Sequence, residues 1–483
     1  MGARASGARL AALLSLVTSA CAPLDRRPPH LAFARSRQAL ERASRSTEAD
    51  RGAVEVGWAR AGILAPAGAP LAGYASRSGE AHRRVHDPIF ARALAVRVGG
   101  GSPLVFLALD LLLLDPETST ALAERVADAI PRARLLMSAT HTHGGLGGFA
   151  RGMAWELATG PFTPEARRAI LEAGERAIRE AVATLAPGRL ALGEVDAPGL
   201  NKNRIRRSGA PTDPCASLLL LERSRDRARA MLVAFAAHAT IVSDQDPDLT
   251  ADYPGALVAR LEARGLDLAA FAAGAVGSMA PAAGWAEHPG VVWTAERLAA
   301  AIARAIPSLE RALRAETALA VVRTEIRLPR RQWRIGDEWV ISDLLIGGLM
   351  PSTVHLQAVS FGRETWAALP VELSGEIARS LKARARARGE LLAISVFNGE
   401  YGGYVVPRAA YDLREEEKGE MADYETHVMS FFGPWMGDLF AAATWRTARA
   451  ASEAARRAWP ETPRPPPLVL APAAGRPPPE LTK

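Results

Sequence analysis

The chain has 483 residues, of which 48% are apolar and 23% charged, with a formal net charge of +7. These proportions exclude a disordered or fibrous chain and leave room for one large globular domain with decoration, or for two domains. The positive charge is mostly arginine spread along helical stretches such as "RSLKARARARG" and "EAARRAWP"; lacking aromatic-basic interleaving, it reads as solvated helix faces, and no nucleic-acid partner is expected.

In chain order, residues 1–21, "MGARASGARLAALLSLVTSAC", place Arg4 and Arg9 before an apolar stretch from Leu10 to Val17 and small residues before a cysteine. This is the plan of a secretory signal peptide, too short for a convincing spanning helix. Ser19-Ala20-Cys21 resembles a bacterial lipoprotein processing site, although Thr18 stands where leucine is usual. The expectation is an exported protein, periplasmic or an outer-membrane lipoprotein, or secreted, with a membrane surface as partner through an anchor at Cys21. Cys215 is then the remaining thiol, and it reads as a small buried residue.

Residues 22–52 are polar and arginine-rich and read as a tether, with a helix near "RSRQALERA". From residue 53 to 456 the pattern is that of an α/β fold with mixed β-sheets flanked by helices, a single large domain. "ARALAVRV" and "PLVFLALDLLLLD" predict strands joined by a glycine turn. "PETSTALAERVADAI" predicts a helix with proline in its first turn. "RARLLMSAT" predicts a strand, and "TPEARRAILEAGERAIREAVATLAP" a long amphipathic helix. "RAMLVAFAAHAT", "LDLAAFAAGAVG", "HLQAVSF" and "LLAISVF" predict buried strands. They alternate with helices over "PGALVARLEARG", "TAERLAAAIARAI" and "ELSGEIARSLKARA", and "ALAVVRTEIRLPRRQWRI" adds alternating strand character. Residues 457–483 are a proline-rich tail.

Five places carry chemistry. In "LLMSATHTHGGLGGF" (residues 135–149), two of the nine histidines stand one residue apart at a strand end. In an extended segment, positions i and i+2 point the same way, so His141 and His143 are expected to face one site. His238 ends the apolar strand of "FAAHATIVSDQDPDLTADYPG". Glu372 lies between strand and helix in "WAALPVELSGE", where helix capping is the alternative reading. "FNGEYGGYVVP" presents Tyr401 and Tyr404, which could equally pack in the core. Arg204 follows two asparagines in "LNKNRIRR". Nitrogen and oxygen ligands without thiolate suit a catalytic zinc better than a structural one.

Together, "SATHTHGGLGGF", "AGYASR…VHDPIFARAL", "KNRIRR", "AAHATIVSDQDPDLTADYPG", "LPVELSGE" and "NGEYGGYVVPRAAY" resemble the neutral/alkaline, non-lysosomal ceramidases and their bacterial relatives, in the family's order and over about residues 54 to 440. The resemblance implies a zinc amidase cleaving the bond between a fatty acyl group and a sphingoid base. It matches His141, His238, Glu372 and Tyr404 to the zinc ligands, His143 to a histidine lining the site, and Arg204 to an arginine that contacts the substrate carbonyl or its oxyanion. One motif departs. Where the family has a pattern like Gly-Asp-x-Ser-Pro, this chain has "AVGSMAP", with Ser278 at the aspartate position and Ala280 at that of the catalytic serine. The family's separate C-terminal β-rich domain is also expected to be lacking, since little beyond the proline-rich tail follows residue 456.

The resulting expectation is a zinc-dependent, ceramidase-like hydrolase of linear amides, an N-acyl lipid amidase. A water on the metal is its nucleophile, Arg204 stabilises the oxyanion and His143 is the general acid. Two alternatives stay open. Ser278 could be a displaced nucleophile, or the chain could be a non-catalytic envelope lipoprotein that binds lipid or peptide, having lost the serine.

Overall fold

The computed structural model describes residues 21–283, 285–343, 350–459 and 469–470. Residues 1–20 of the expected signal peptide and most of the proline-rich tail lie outside them.

In chain order the strands are β1 (Cys21–Pro23), β2 (Ala49–Gly62), β3 (Phe90–Val98), β4 (Leu104–Leu109), β5 (Leu135–Ala139), β6 (Ala186–Asp196), β7 (Asn201–Asn203), β8 (Cys215–Arg223), β9 (Arg229–Phe235) and β10 (Leu268–Ala273). They continue as β11 (Met279–Pro281), β12 (Glu316–Arg327), β13 (Trp339–Ile341), β14 (Thr353–Ser360), β15 (Glu364–Ala368), β16 (Glu372–Leu373), β17 (Leu391–Ser395), β18 (Tyr404–Val405) and β19 (Val469–Leu470). The helices are α1 (His30–Ser46), α2 (Pro116–Arg125), α3 (Met153–Thr159), α4 (Pro164–Ala183), α5 (Asp252–Ala263), α6 (Glu287–Ala312), α7 (Gly375–Arg386) and α8 (Met436–Ala458).

Local chemistry explains several boundaries. Gly99 and Gly100 take positive φ (58° and 75°) to turn β3 into β4. Pro116 opens α2, and the Asp115 carboxylate accepts from the amides of Glu117 and Thr118, both at 3.1 Å.

The main sheet runs β10-β9-β8-β6-β2-β12-β14-β15-β17, and β3, β4 and β5 branch from β2. The long β2 makes the branch: its first residues, Ala49–Ala53, pair with β12, and Val54–Gly62 pair with β3. Most pairs are antiparallel, but β4/β5, β9/β10, β15/β17 and β6/β19 are parallel. This is the expected mixed α/β fold. Leu94, Phe106, Leu136, Leu219, Trp366 and Leu391 form a dry layer between sheet surfaces. Helices α5 and α6 seal β8–β10 on the other side, while α8 covers β12, β14 and β15.

Residues 22–52, expected as a tether, hold their helix at α1, which lies on β12 and α8 with Ser36 and Leu40 buried, and β2 begins at Ala49. What matters for function is that the parallel strand pairs end on one side, the usual place for a site in an α/β sheet.

Candidate metal centre

His141 follows β5, His238 follows β9, Glu372 follows β15 and Tyr404 follows β17. The first two loops are stitched together by a parallel bridge between Thr142 and Ala239. The last two are joined by the two-residue ladder of β16 and β18, in which Glu372 is directly opposite Tyr404. His141, His238 and Glu372 are buried, and one donor atom from each lies within 4.8 Å of the others. Glu372 Oε2 is 3.2 Å from His238 Nε2 and 3.6 Å from His141 Nε2. The Tyr404 hydroxyl is 3.1 Å from His238 Nε2.

The tautomers are set from behind. His141 Nδ1 meets the Leu112 carbonyl at 2.8 Å, and His238 Nδ1 meets the Met279 carbonyl at 3.0 Å. With the proton held there, each ring turns its Nε2 lone pair toward Glu372, the arrangement that orients metal-binding histidines. Burial pushes His141 down to about 3 and His238 well below its usual value, the latter helped by the Arg204 charge. Both rings are therefore neutral at pH 7, as ligands must be. Two neutral imidazoles, a carboxylate and a phenol, all buried, fit a cation of the zinc type.

The two histidines of the doublet do meet, but not by strand alternation. His141 has φ +63°, a left-handed conformation, so the backbone turns at the first histidine and extended geometry is lost. His143 Nε2 nevertheless lies 3.3 Å from His141 Nε2. His143 is held from outside by the segment "AGYASR". The Tyr74 ring rests on it with centroids 4.8 Å apart, and the buried Arg77 guanidinium donates to its carbonyl. A Cβ on Gly73 would lie 2.7 Å from the Cα, Cβ and Cγ of His143, so only glycine permits this approach. Burial, with the charges of its neighbours, keeps His143 well below its ordinary pKa. Its Nδ1 is buried with no partner among the described residues.

Arg204, buried at the end of β7, is drawn in as expected. Its Nη2 is 2.9 Å from both His238 Nε2 and the Tyr404 hydroxyl, and it donates to the Gly277 carbonyl at 3.2 Å. Its Nε donates to Glu425 at 2.7 Å. Burial works against its charge, but Tyr404, Glu425 and Glu372 outweigh it and hold the guanidinium protonated.

Glu372 is not a helix cap. The Ser278 hydroxyl, fully buried, takes that place at α7: it accepts from the Gly375 amide at 3.0 Å and bonds to Glu376 and Ser374. Ala280, 8% exposed, sits opposite Lys202 in the β7/β11 pair, next to the two carbonyls that bind His238 and Arg204.

Three further residues join the site: Tyr401, which the sequence left between site and core, and Glu425 and Phe397, which carry no sequence signature. Tyr401 donates to Glu372 Oε1 at 2.6 Å. Glu425 lies in a π-helical turn, Tyr424–Val428, a feature common at functional sites. Phe397 stacks on His141 at 4.2 Å between centroids.

Residues 55–285 match the model of the neutral/alkaline non-lysosomal ceramidase N-terminal domain. Among curated proteins, the chain is 30% identical to the neutral ceramidase of Pseudomonas aeruginosa over 125 residues, 25% of this chain and 19% of that protein. It is 28% identical to that of Drosophila melanogaster over 155 residues, 31% and 22% of the two chains. The aligned stretches thus span less than a third of these relatives. The crystal structure of the Pseudomonas aeruginosa enzyme superposes with a TM-score of 0.69 at 20% identity, over 88% of this chain and 77% of that one. Residues 55–285 therefore match a neutral/alkaline, non-lysosomal ceramidase N-terminal domain, and the fold of the chain is that of the Pseudomonas aeruginosa neutral ceramidase structure.

Proposed function

We propose that the protein is a zinc-dependent hydrolase of linear amides that acts on N-acyl lipids of the ceramide type. The observation that carries this reading is the convergence of His141, His238 and Glu372 within 4.8 Å, with Tyr404 opposite Glu372. These four residues would hold the metal. Zinc, when bound, supplies a Lewis acid that polarises the scissile carbonyl and acidifies water.

The chain's own residues do the rest. Arg204, kept charged and clamped by Glu425, presents its Nη2 to the carbonyl oxygen as negative charge builds there; such a donor is commonly worth about 3 kcal/mol. Since Nη2 also touches His238 Nε2, ligation by His238 requires Arg204 to release that contact, which frees the donor for substrate. His143, neutral in its buried position, accepts the proton of the attacking water and returns it to the leaving amine. Water is the nucleophile because Ala280 has no hydroxyl and that of Ser278 is committed to α7.

Elemental analysis of the mature protein tests the reading, with about one zinc per chain expected in the wild type and none in His141→Ala, together with loss of N-acyl hydrolysis. Full activity without zinc would sink it. Ala280→Ser tests the pocket: a gain on ceramide places the substrate carbonyl beside β11. A second reading, a non-catalytic envelope lipoprotein that binds lipid or peptide, is favoured by Ala280 together with the expected anchor at Cys21; tight binding with zinc present and no turnover would replace the first with it.

A further inference from the structure

We propose that the face formed by Ile335, Trp339, Tyr424 and Val428 docks on a lipid bilayer and turns the mouth of the metal centre toward the membrane. These four are large apolar side chains exposed by 49%, 53%, 38% and 45%. They come from two segments that are locked together. Trp339 closes a hairpin on Ile335 by a 2.7 Å backbone bond, and Gln332 bonds to Phe431 at 2.7 Å across the two segments. His427 then meets Asp337 at 3.1 Å.

Two further observations say what covers the face. The first is its position at the site. The Tyr424 ring meets the buried Tyr404 edge-on, with centroids 5.7 Å apart, so the exposed patch continues directly into the ligand set. The second is the place of Cys21. Strand β1 pairs antiparallel with β13, setting Cys21 opposite Ile341 and Pro23 opposite Trp339. The cysteine that the sequence marks for lipid attachment is thus on the strand beside the most exposed tryptophan of the patch. An acyl anchor there and an aromatic rim here meet the same surface.

Charge on the face is balanced. Glu338 and Asp412 pair with Arg26, Asp337 with Arg334 and His427, and Asp423 with Lys418. No unpaired carboxylate among these repels a headgroup layer, and Trp and Tyr are the side chains that favour the membrane–water boundary. Apolar exposure beside a site is also a common mark of a membrane contact. Docking would bring the bilayer to within one ring contact, Tyr424 on Tyr404, of the candidate metal ligands, so that a substrate whose chains stay in the bilayer is presented close to the site. This last step rests on the N-acyl lipid reading; the docking does not.

The test uses the mature chain carrying Cys21→Ser, so that no acyl chain contributes, and vesicles of phosphatidylcholine, alone and mixed with phosphatidylglycerol. The parent is expected to sediment with both. The double variant Ile335→Ser/Trp339→Ser is expected to lose about tenfold or more in partition, while Leu64→Ser, at a still more exposed position elsewhere (80%), loses nothing. Brominated phosphatidylcholine should quench the parent's fluorescence, and less so that of Trp339→Phe. Unchanged binding of the double variant would overturn the proposal, as would binding that requires phosphatidylglycerol and is abolished by salt. Hydrolysis of a water-soluble short-chain amide separates the two readings. It should be unchanged in the double variant, and its absence in the parent would fail the hydrolase reading while leaving the vesicle result to stand alone.

Discussion

Replacing Glu425 by leucine removes the partner of a guanidinium that has nowhere else to go. The Glu425 side chain is 0% exposed and that of Arg204 7%, with Nε and Oε1 2.7 Å apart. Breaking a buried pair from one side costs about 3–5 kcal/mol, because the surviving charge remains desolvated. The Nη2 contacts to His238, Gly277 and Tyr404 stay in place, which puts the expected loss at the low end, about 3 kcal/mol. Urea unfolding followed by tryptophan fluorescence measures it. The double variant Arg204→Leu/Glu425→Leu should recover part of that loss, since neither member of the pair is left buried without its partner. Activity should fall in both, through Arg204. A single Glu425→Leu variant within about 0.5 kcal/mol of wild type would refute the reasoning, because a value that small is what surface substitutions give. It would mean that Arg204 is solvated or paired elsewhere.

Gly73→Ala forces a Cβ into His143 at a residue with φ +114°, and should cost about 1–3 kcal/mol while lowering hydrolysis and leaving zinc content intact; denaturation and elemental analysis check the two halves. Tyr401→Phe removes the hydroxyl that holds Glu372, and a competition titration should show zinc affinity down by about 10- to 100-fold. Cys215 is expected to resist iodoacetamide at neutral pH until the chain is unfolded. It is buried, and burial, assisted by Asp196, pushes its thiol up to about 12, so almost no thiolate is present.

Much of this site was legible because its residues stand where apolar runs stop. His141, His238, Glu372 and Tyr404 each follow a buried strand that period and length reveal, and strand ends in an α/β sheet converge on one side. Strands β3, β4, β5, β9, β10, β12 and β14 and helices α2, α4, α5, α6 and α7 followed from the same patterns, whereas the long strands β6 and β8 did not. What could not be read is what depends on distant pairing. Glu425 meets Arg204 across 221 positions, and nothing in "YETHV" announces a buried acid. The β16/β18 ladder is two residues long, below the length at which alternation carries a signal. Ser278 could be weighed as a nucleophile only until α7 was seen to begin on its hydroxyl. His141 and His143 do share one site, but not through strand alternation: His141 turns left-handed, so positions i and i+2 no longer lie on one face of an extended strand.

That turn has an evolutionary consequence. A non-glycine residue held at φ +63° carries about 1–3 kcal/mol of strain, which only the site's chemistry justifies keeping. Position 141 is therefore under two opposed pressures, and the stability pressure alone would choose glycine or asparagine. Where a descendant of this fold has given up catalysis, the imidazole should drift to one of those residues before the surrounding strands change. The residue at 141 then works as a gauge of whether a lineage still uses the chemistry of the His141–His238–Glu372 cluster.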